Sequence, residues 1–213
     1  MLVVIEGVDG CGKSTQVRRL TKYFAPMALG IAFPDRSTAS GKVIDGLLRK
    51  VAKLSCSDSS LGSPDVLSAV TLQSLMAANM RESEGLYRAA AYPLAFCDRY
   101  TQSAEVYGCM LDHVPRVFVR RLHEGLPKPR LSILLDVNAE TVLARKERDT
   151  AELYEGDVDK VNLLINGYRK LWEYSGPDYV IVDATVSPAA ITDSILAILR
   201  KLVATSEGAN CGS

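Results

Sequence analysis

The sequence predicts a doubly wound α/β fold built on a five-stranded parallel sheet flanked by helices. Three observations carry this expectation. Five short apolar runs recur along the 213 residues, at Leu2–Ile5, Leu29–Phe33, Leu94–Cys97, Leu131–Leu135 and Tyr179–Val182. Longer stretches with apolar residues at helical spacing separate them. A glycine-rich turn, Gly7-Val8-Asp9-Gly10-Cys11-Gly12-Lys13-Ser14-Thr15, joins the first run to the first helical stretch.

Leu2–Ile5 and three of the other runs show little polar alternation, which suits strands covered on both faces of a parallel sheet. The turn that follows Leu2–Ile5 has the pattern G-x-x-x-x-G-K-[ST] between strand and helix, that of a phosphate-binding loop. Its three glycines let the backbone curl so that several N–H groups converge on phosphate oxygens at the positive end of a helix. Lys13 is expected to reach the β- and γ-phosphates of a nucleotide, and the Ser14 hydroxyl to join the shell of a Mg²⁺ ion.

Helical patterns then cover Lys13–Phe24, Gly41–Ala52, Pro64–Arg88, Ser103–Glu124 with a break near Pro115, Ala139–Arg148, Val158–Tyr174 and Pro188–Ala204. Lys53–Gly62 reads as a surface loop, and the small, polar residues 205–213 as a frayed tail after a single domain over 1–204. In such sheets the ligand lies beyond the carboxyl ends of the strands. The residues there are Phe33-Pro34-Asp35-Arg36-Ser37-Thr38, then Asp98-Arg99-Tyr100 with Ser103 close behind, then Asp183-Ala184-Thr185. An acid directly after an apolar strand in such proteins holds Mg²⁺ through water, so Asp98 joins Ser14 as a metal candidate. Read alone, Arg36 also fits a turn residue paired with Asp35, and Asp98-Arg99 an ion pair closing a strand.

Lys+Arg and Asp+Glu both total 25, so no basic field favours a nucleic-acid polymer or an anionic membrane. Five cysteines without a C-x-x-C pair suggest reduced thiols and a cytoplasmic or nuclear setting. Met1 leads straight into a strand, with no signal-peptide pattern. The apolar run Ala89–Cys97 is too short for a membrane span. His113 and His123 are expected on the surface, and Trp172 and Tyr174 to pack against the sheet.

In this order and spacing, Glu6-Gly7-Val8-Asp9, Gly12-Lys13-Ser14-Thr15-Gln16, Phe33–Thr38, Asp98-Arg99-Tyr100, Gly125-Leu126-Pro127-Lys128-Pro129, Tyr154-Glu155 and Asp183-Ala184 resemble the thymidylate kinases. These belong to the nucleoside monophosphate kinase group, and the resemblance runs from Val3 to about Ile195. It implies ATP- and Mg²⁺-dependent phosphorylation of dTMP to dTDP, and a homodimer formed through long helices, with Leu67–Met80 as a candidate face. By resemblance, Asp9 contacts the deoxyribose 3′-OH and Arg36 holds the acceptor phosphate. Arg99 stands between donor and acceptor phosphates, with Phe33, Pro34, Asp98 and Ser103 on the acceptor side. Tyr107 and Tyr154 crowd the place of a ribose 2′-OH. A mobile lid covers ATP at about residues 145–157, with Arg145 near the adenine and Asp183–Val186 on its other side. Arginine suits such roles because its planar fork binds phosphate oxygens in pairs and stays ionised.

Two departures from the family pattern matter. Gly10 stands where many eukaryotic members carry a basic residue, so a lid arginine is expected to supply that charge, Arg148 ahead of Arg145. The family stacks thymine on a phenylalanine and reads its O4 with an arginine four residues on; here Met76 takes the first place and Met80 or Arg81 the second. A sulfur side chain grips a ring less specifically than an aromatic, which predicts a looser base preference that admits dUMP. A deoxynucleoside kinase or another monophosphate kinase is the competing reading. A GTPase switch would need N-K-x-D, and no asparagine here precedes a lysine.

Overall fold

The computed structural model describes residues 1–57, 66–85, 92–146, 158–173 and 175–210. Its strands are β1 (Leu2–Glu6), β2 (Ala28–Ala32), β3 (Leu94–Asp98), β4 (Leu131–Asp136) and β5 (Tyr179–Asp183). Its helices are α1 (Lys13–Tyr23), α2 (Ala39–Ser57), α3 (Val66–Glu82), α4 (Thr101–Met110), α5 (Arg116–Leu122), α6 (Ala139–Lys146), α7 (Val158–Glu173) and α8 (Pro188–Asn210). The strands form one all-parallel sheet in the order β2-β3-β1-β4-β5. This is the predicted fold class.

The period of two along β1 divides the core. Val3 and Ile5 join the face covered by α1 and α8, together with Leu20, Ile133 and Ile195. Leu2 and Val4 join the opposite face, with Phe33, Met80, Cys97 and Tyr100. Every residue of β1 and β3 is buried, as continuous apolar runs in central parallel strands should be. The edge strands differ: β2 and β5 alternate between covered and open positions, and Ile181 is 53% exposed. Truncating a fully buried residue such as Ile5 to alanine should cost about 2–5 kcal/mol.

Pro115 breaks the fourth helical stretch as expected, ending up as the residue before α5. Three expectations are corrected. α2 continues through Lys53–Ser57, because no glycine or proline interrupts the chain between Gly46 and Gly62. α8 likewise runs to Asn210, past Ala204. His123 is buried rather than on the surface; its Nδ1 lies 2.8 Å from the Val119 carbonyl, and burial pushes its pKa down. Trp172 does pack on the sheet, edge-on to Tyr179 at 5.2 Å. Arg148, Tyr154 and Tyr174 lie outside the described residues, as does most of the expected lid.

Candidate active site

The first crossover builds the phosphate loop at the carboxyl end of β1. Gly7, Gly10 and Gly12 all take positive φ, at 137°, 81° and 106°. Gly7 has a second reason to be glycine: a Cβ there would lie 2.8 Å from Cys11 Sγ and 2.9 Å from the Leu135 carbonyl oxygen. No side chain caps α1, so its first-turn N–H groups remain donors for an anion. Lys13, only 5% exposed, donates to the Val8 carbonyl at 2.8 Å and lies 3.5 Å from Asp9 Oδ1.

Ser14 donates to Asp98 Oδ2 at the end of β3. A hydroxyl and a carboxylate are the hard oxygen donors that Mg²⁺ prefers, with water and phosphate completing its shell. Among the described residues no group of three or more Cys, His, Asp or Glu could hold an ion alone. The hydroxyl and carboxylate pair fits a magnesium whose shell is completed by oxygens from elsewhere.

Arg99 follows Asp98 with a left-handed φ of 69°. Its guanidinium pairs with Asp9, donates to Ser103 Oγ at 3.2 Å and Tyr107 Oη at 3.2 Å, and lies 4.8 Å over the Tyr107 ring. Glu6 holds the segment after it. This fully buried carboxylate accepts from the Tyr100 N–H at 2.8 Å, the Ser103 N–H at 3.2 Å and the Ser103 hydroxyl. Burial pushes the Glu6 pKa up to about 7, partly offset by the Ser103 hydrogen bond and the charge of Arg99.

The loop after β2 forms the opposite wall. Arg36 is 62% exposed and pairs with Asp45 at 3.4 Å rather than with Asp35. Asn79, fully buried on α3, ties the loop down: Oδ1 accepts from the Asp35 N–H at 2.7 Å, while Nδ2 donates to Thr38 Oγ1 at 2.8 Å and the Asp35 carbonyl at 3.1 Å. The Glu82 carboxylate accepts from the Ala39 and Ser40 N–H groups at the start of α2. Gly41 is required because a Cβ there would lie 1.9 Å from the Asp35 carbonyl oxygen.

These walls enclose one cleft of about 1470 Å³. The predicted residues Asp9, Lys13, Ser14, Thr15, Phe33, Pro34, Arg36, Met76, Asp98, Arg99, Ser103, Tyr107 and Arg145 line it. Arg145 donates to the Cys11 carbonyl at 3.2 Å and to the Ala184 carbonyl at 2.7 Å, clamping the phosphate loop to the β5–α8 turn. Asp183 instead accepts from the Thr185 N–H and hydroxyl, and neither it nor Val186 is among the described lining. Arg81 also turns away, donating to the Leu122 and Glu124 carbonyls at 2.9 and 2.8 Å. The carbonyls left open at the end of α5 attract it. Met80 faces the cleft in its place, 3% exposed.

Sequence reasoning assigned no role to Glu6, Asn79 or Glu82. A signal for Asn79 was present, since it is the one polar residue in Leu75–Met80.

A phosphate loop facing strand-end arginines across one cleft defines the phosphate-loop kinases of small acceptors. The family model described as thymidylate kinase matches residues 5–195, and the chain belongs to the thymidylate kinase family. It is therefore a nucleotide-binding phosphotransferase. The thymidylate kinase of Caenorhabditis elegans is 31% identical over 159 residues, 68% of this chain and 66% of the relative. A probable thymidylate kinase of Methanospirillum hungatei is 31% identical over 199 residues, 90% of this chain and 89% of the relative. In fold, the chain resembles thymidylate kinase from Candida albicans with a TM-score of 0.74 at 24% identity, covering 94% of this chain and 91% of that one.

Proposed function

We propose that the chain transfers the γ-phosphoryl group of ATP to the 5′-phosphate of dTMP, with Mg²⁺, giving dTDP and ADP. A dTMP phosphate oxygen forms a bond to the γ-phosphorus as the bond to the β-phosphate bridging oxygen breaks, and ADP leaves with that electron pair. The chain supplies position and positive charge and forms no covalent intermediate. Lys13 and the loop amides hold the donor phosphates, Ser14 and Asp98 would hold the magnesium that neutralises them, and Arg36 takes the acceptor phosphate. The observation that carries the reading is Arg99, fixed by Asp9, Ser103 and Tyr107 beside the phosphate loop.

Residues 145–157 form the lid in this reading, with Arg148 closing on the transferred group and Tyr154 beside the sugar. The enzyme works as a homodimer through helices beside the sheet, a reading supported by the apolar surface that Val117 and Phe118 leave exposed on α5. It resides in the cytoplasm or nucleus, supported by thiols rather than disulfides at Cys11, Cys97 and Cys109. No described helix is long and apolar enough to cross a membrane.

The test is coupled ADP release with dTMP, dUMP, dGMP and thymidine, for wild type and Lys13→Ala. Magnesium-dependent turnover of dTMP, some turnover of dUMP and loss of both in Lys13→Ala are expected. Turnover of thymidine without turnover of any monophosphate would refute the reading.

A further inference from the structure

The base end of the cleft poses a problem of chemistry. Along the cleft-facing side of α3 stand Gln73, Met76 and Met80, spaced three and four residues apart. Arg81 leaves this face for the α5 carbonyls, so the described part of α3 brings no cation to the cleft. Its one polar contribution to the described lining is Gln73.

Gln73 is held in an unusual way. It is 3% exposed, and its Nε2 donates to Asp112 Oδ2 at 3.0 Å. That bond fixes which end of the amide is oxygen, because an ionised carboxylate only accepts. The amide lies flat on Gly108 of α4: a Cβ on Gly108 would meet Gln73 Cδ at 2.9 Å and Oε1 at 3.1 Å. Oε1 itself is buried without a hydrogen-bond partner. Buried acceptors are rarely left unmatched, and this one belongs to a side chain that lines the cleft. Helical rise places Gly108 about 10 Å along α4 from Thr101, one residue beyond Tyr107, whose ring lies under Arg99.

We propose that Gln73 is the base-reading residue of this enzyme, its Oε1 accepting the ring N3–H of a thymine or uracil and its second Nε2 hydrogen serving an adjacent carbonyl. The inference rests on the dTMP reading above and adds the specificity element to it. Asp112 sets the direction of the amide and Gly108 makes room for it. A pyrimidine with N–H between two carbonyls complements an amide's paired acceptor and donor. The 5-methyl group plays no part in that pairing, so thymine and uracil are read alike at this edge.

The test compares kcat/KM for dTMP and N3-methyl-dTMP in wild type, Gln73→Ala and Gly108→Ala. The last variant displaces the amide while keeping its chemistry. Wild type should favour dTMP by about tenfold or more, the scale of one buried hydrogen bond. Both variants should lose about tenfold on dTMP, mainly in KM, and hold the two substrates within about threefold of each other. Should wild type use both substrates equally, or should both variants keep the wild-type preference, Gln73 is not the reader although dTMP remains the substrate. Absence of dTMP turnover in wild type would remove the underlying reading as well.

Discussion

Glu6→Gln tests how the acceptor side of the site is held. Glu6 has no solvent exposure, and burial raises its pKa from 4.5 to about 7. The native state therefore keeps a proton through a pH range in which the unfolded chain has released it. Between about pH 4.5 and 7 the native state binds more protons than the unfolded state, so stability falls as pH rises through that window. The contribution is fully present below the lower pKa and lost above the upper one. Two and a half pKa units correspond to about 3 kcal/mol at 1.36 kcal/mol each. Glutamine keeps the shape and an acceptor for the Tyr100 and Ser103 N–H groups, and it does not titrate. Urea unfolding of both proteins at pH 4.5, 6 and 8 should show the glutamine variant gaining on wild type by about 3 kcal/mol across the range, since other titrating groups cancel in the difference. A difference that stays constant between pH 4.5 and 8 would refute the argument that Glu6 is desolvated in the fold.

Other consequences follow from the same geometry. Arg99→Lys loses the fork that spans Asp9, Ser103 and Tyr107, and kcat should fall by about 10²-fold or more with a small change in KM for ATP. Asn79→Ala leaves the Asp35 N–H unmatched; thermal unfolding should report a loss of about 1–3 kcal/mol, and steady-state kinetics a raised KM for dTMP. Arg145→Ala removes the clamp between Cys11 and Ala184 and should raise KM for ATP, leaving that for dTMP near wild type. Arg148→Ala should lower kcat at saturating substrates by about 10³-fold, the scale of an arginine acting on the transferring phosphate.

The fold was legible because its signals are local. Apolar runs bounded by turns marked all five strands, and Pro115 marked its break without tertiary information. The phosphate loop was legible for the same reason, since Gly7 through Ser14 build their site within one turn. What escaped depends on distant partners. Glu6 meets Tyr100 and Ser103 more than ninety residues away, and Asn79 meets Asp35 forty-four residues away. The direction of Arg81 was equally hidden: helical spacing puts it one step from Met80, and only the open carbonyls of α5 decide that it turns outward. His123 is the exception: its partner, the Val119 carbonyl, lies one helical turn back, and it read as a surface residue because the packing that buries the ring comes from elsewhere in the chain.

In the proposed reaction the phosphoryl group passes directly between two phosphates held in one cleft. Incubation with ATP labelled at the γ-phosphate, dTMP and Mg²⁺ should place the label in the β-phosphate of dTDP, with almost none in inorganic phosphate, and Lys13→Ala should abolish the product. Label appearing as inorganic phosphate, or on the enzyme before dTMP is added, would contradict it.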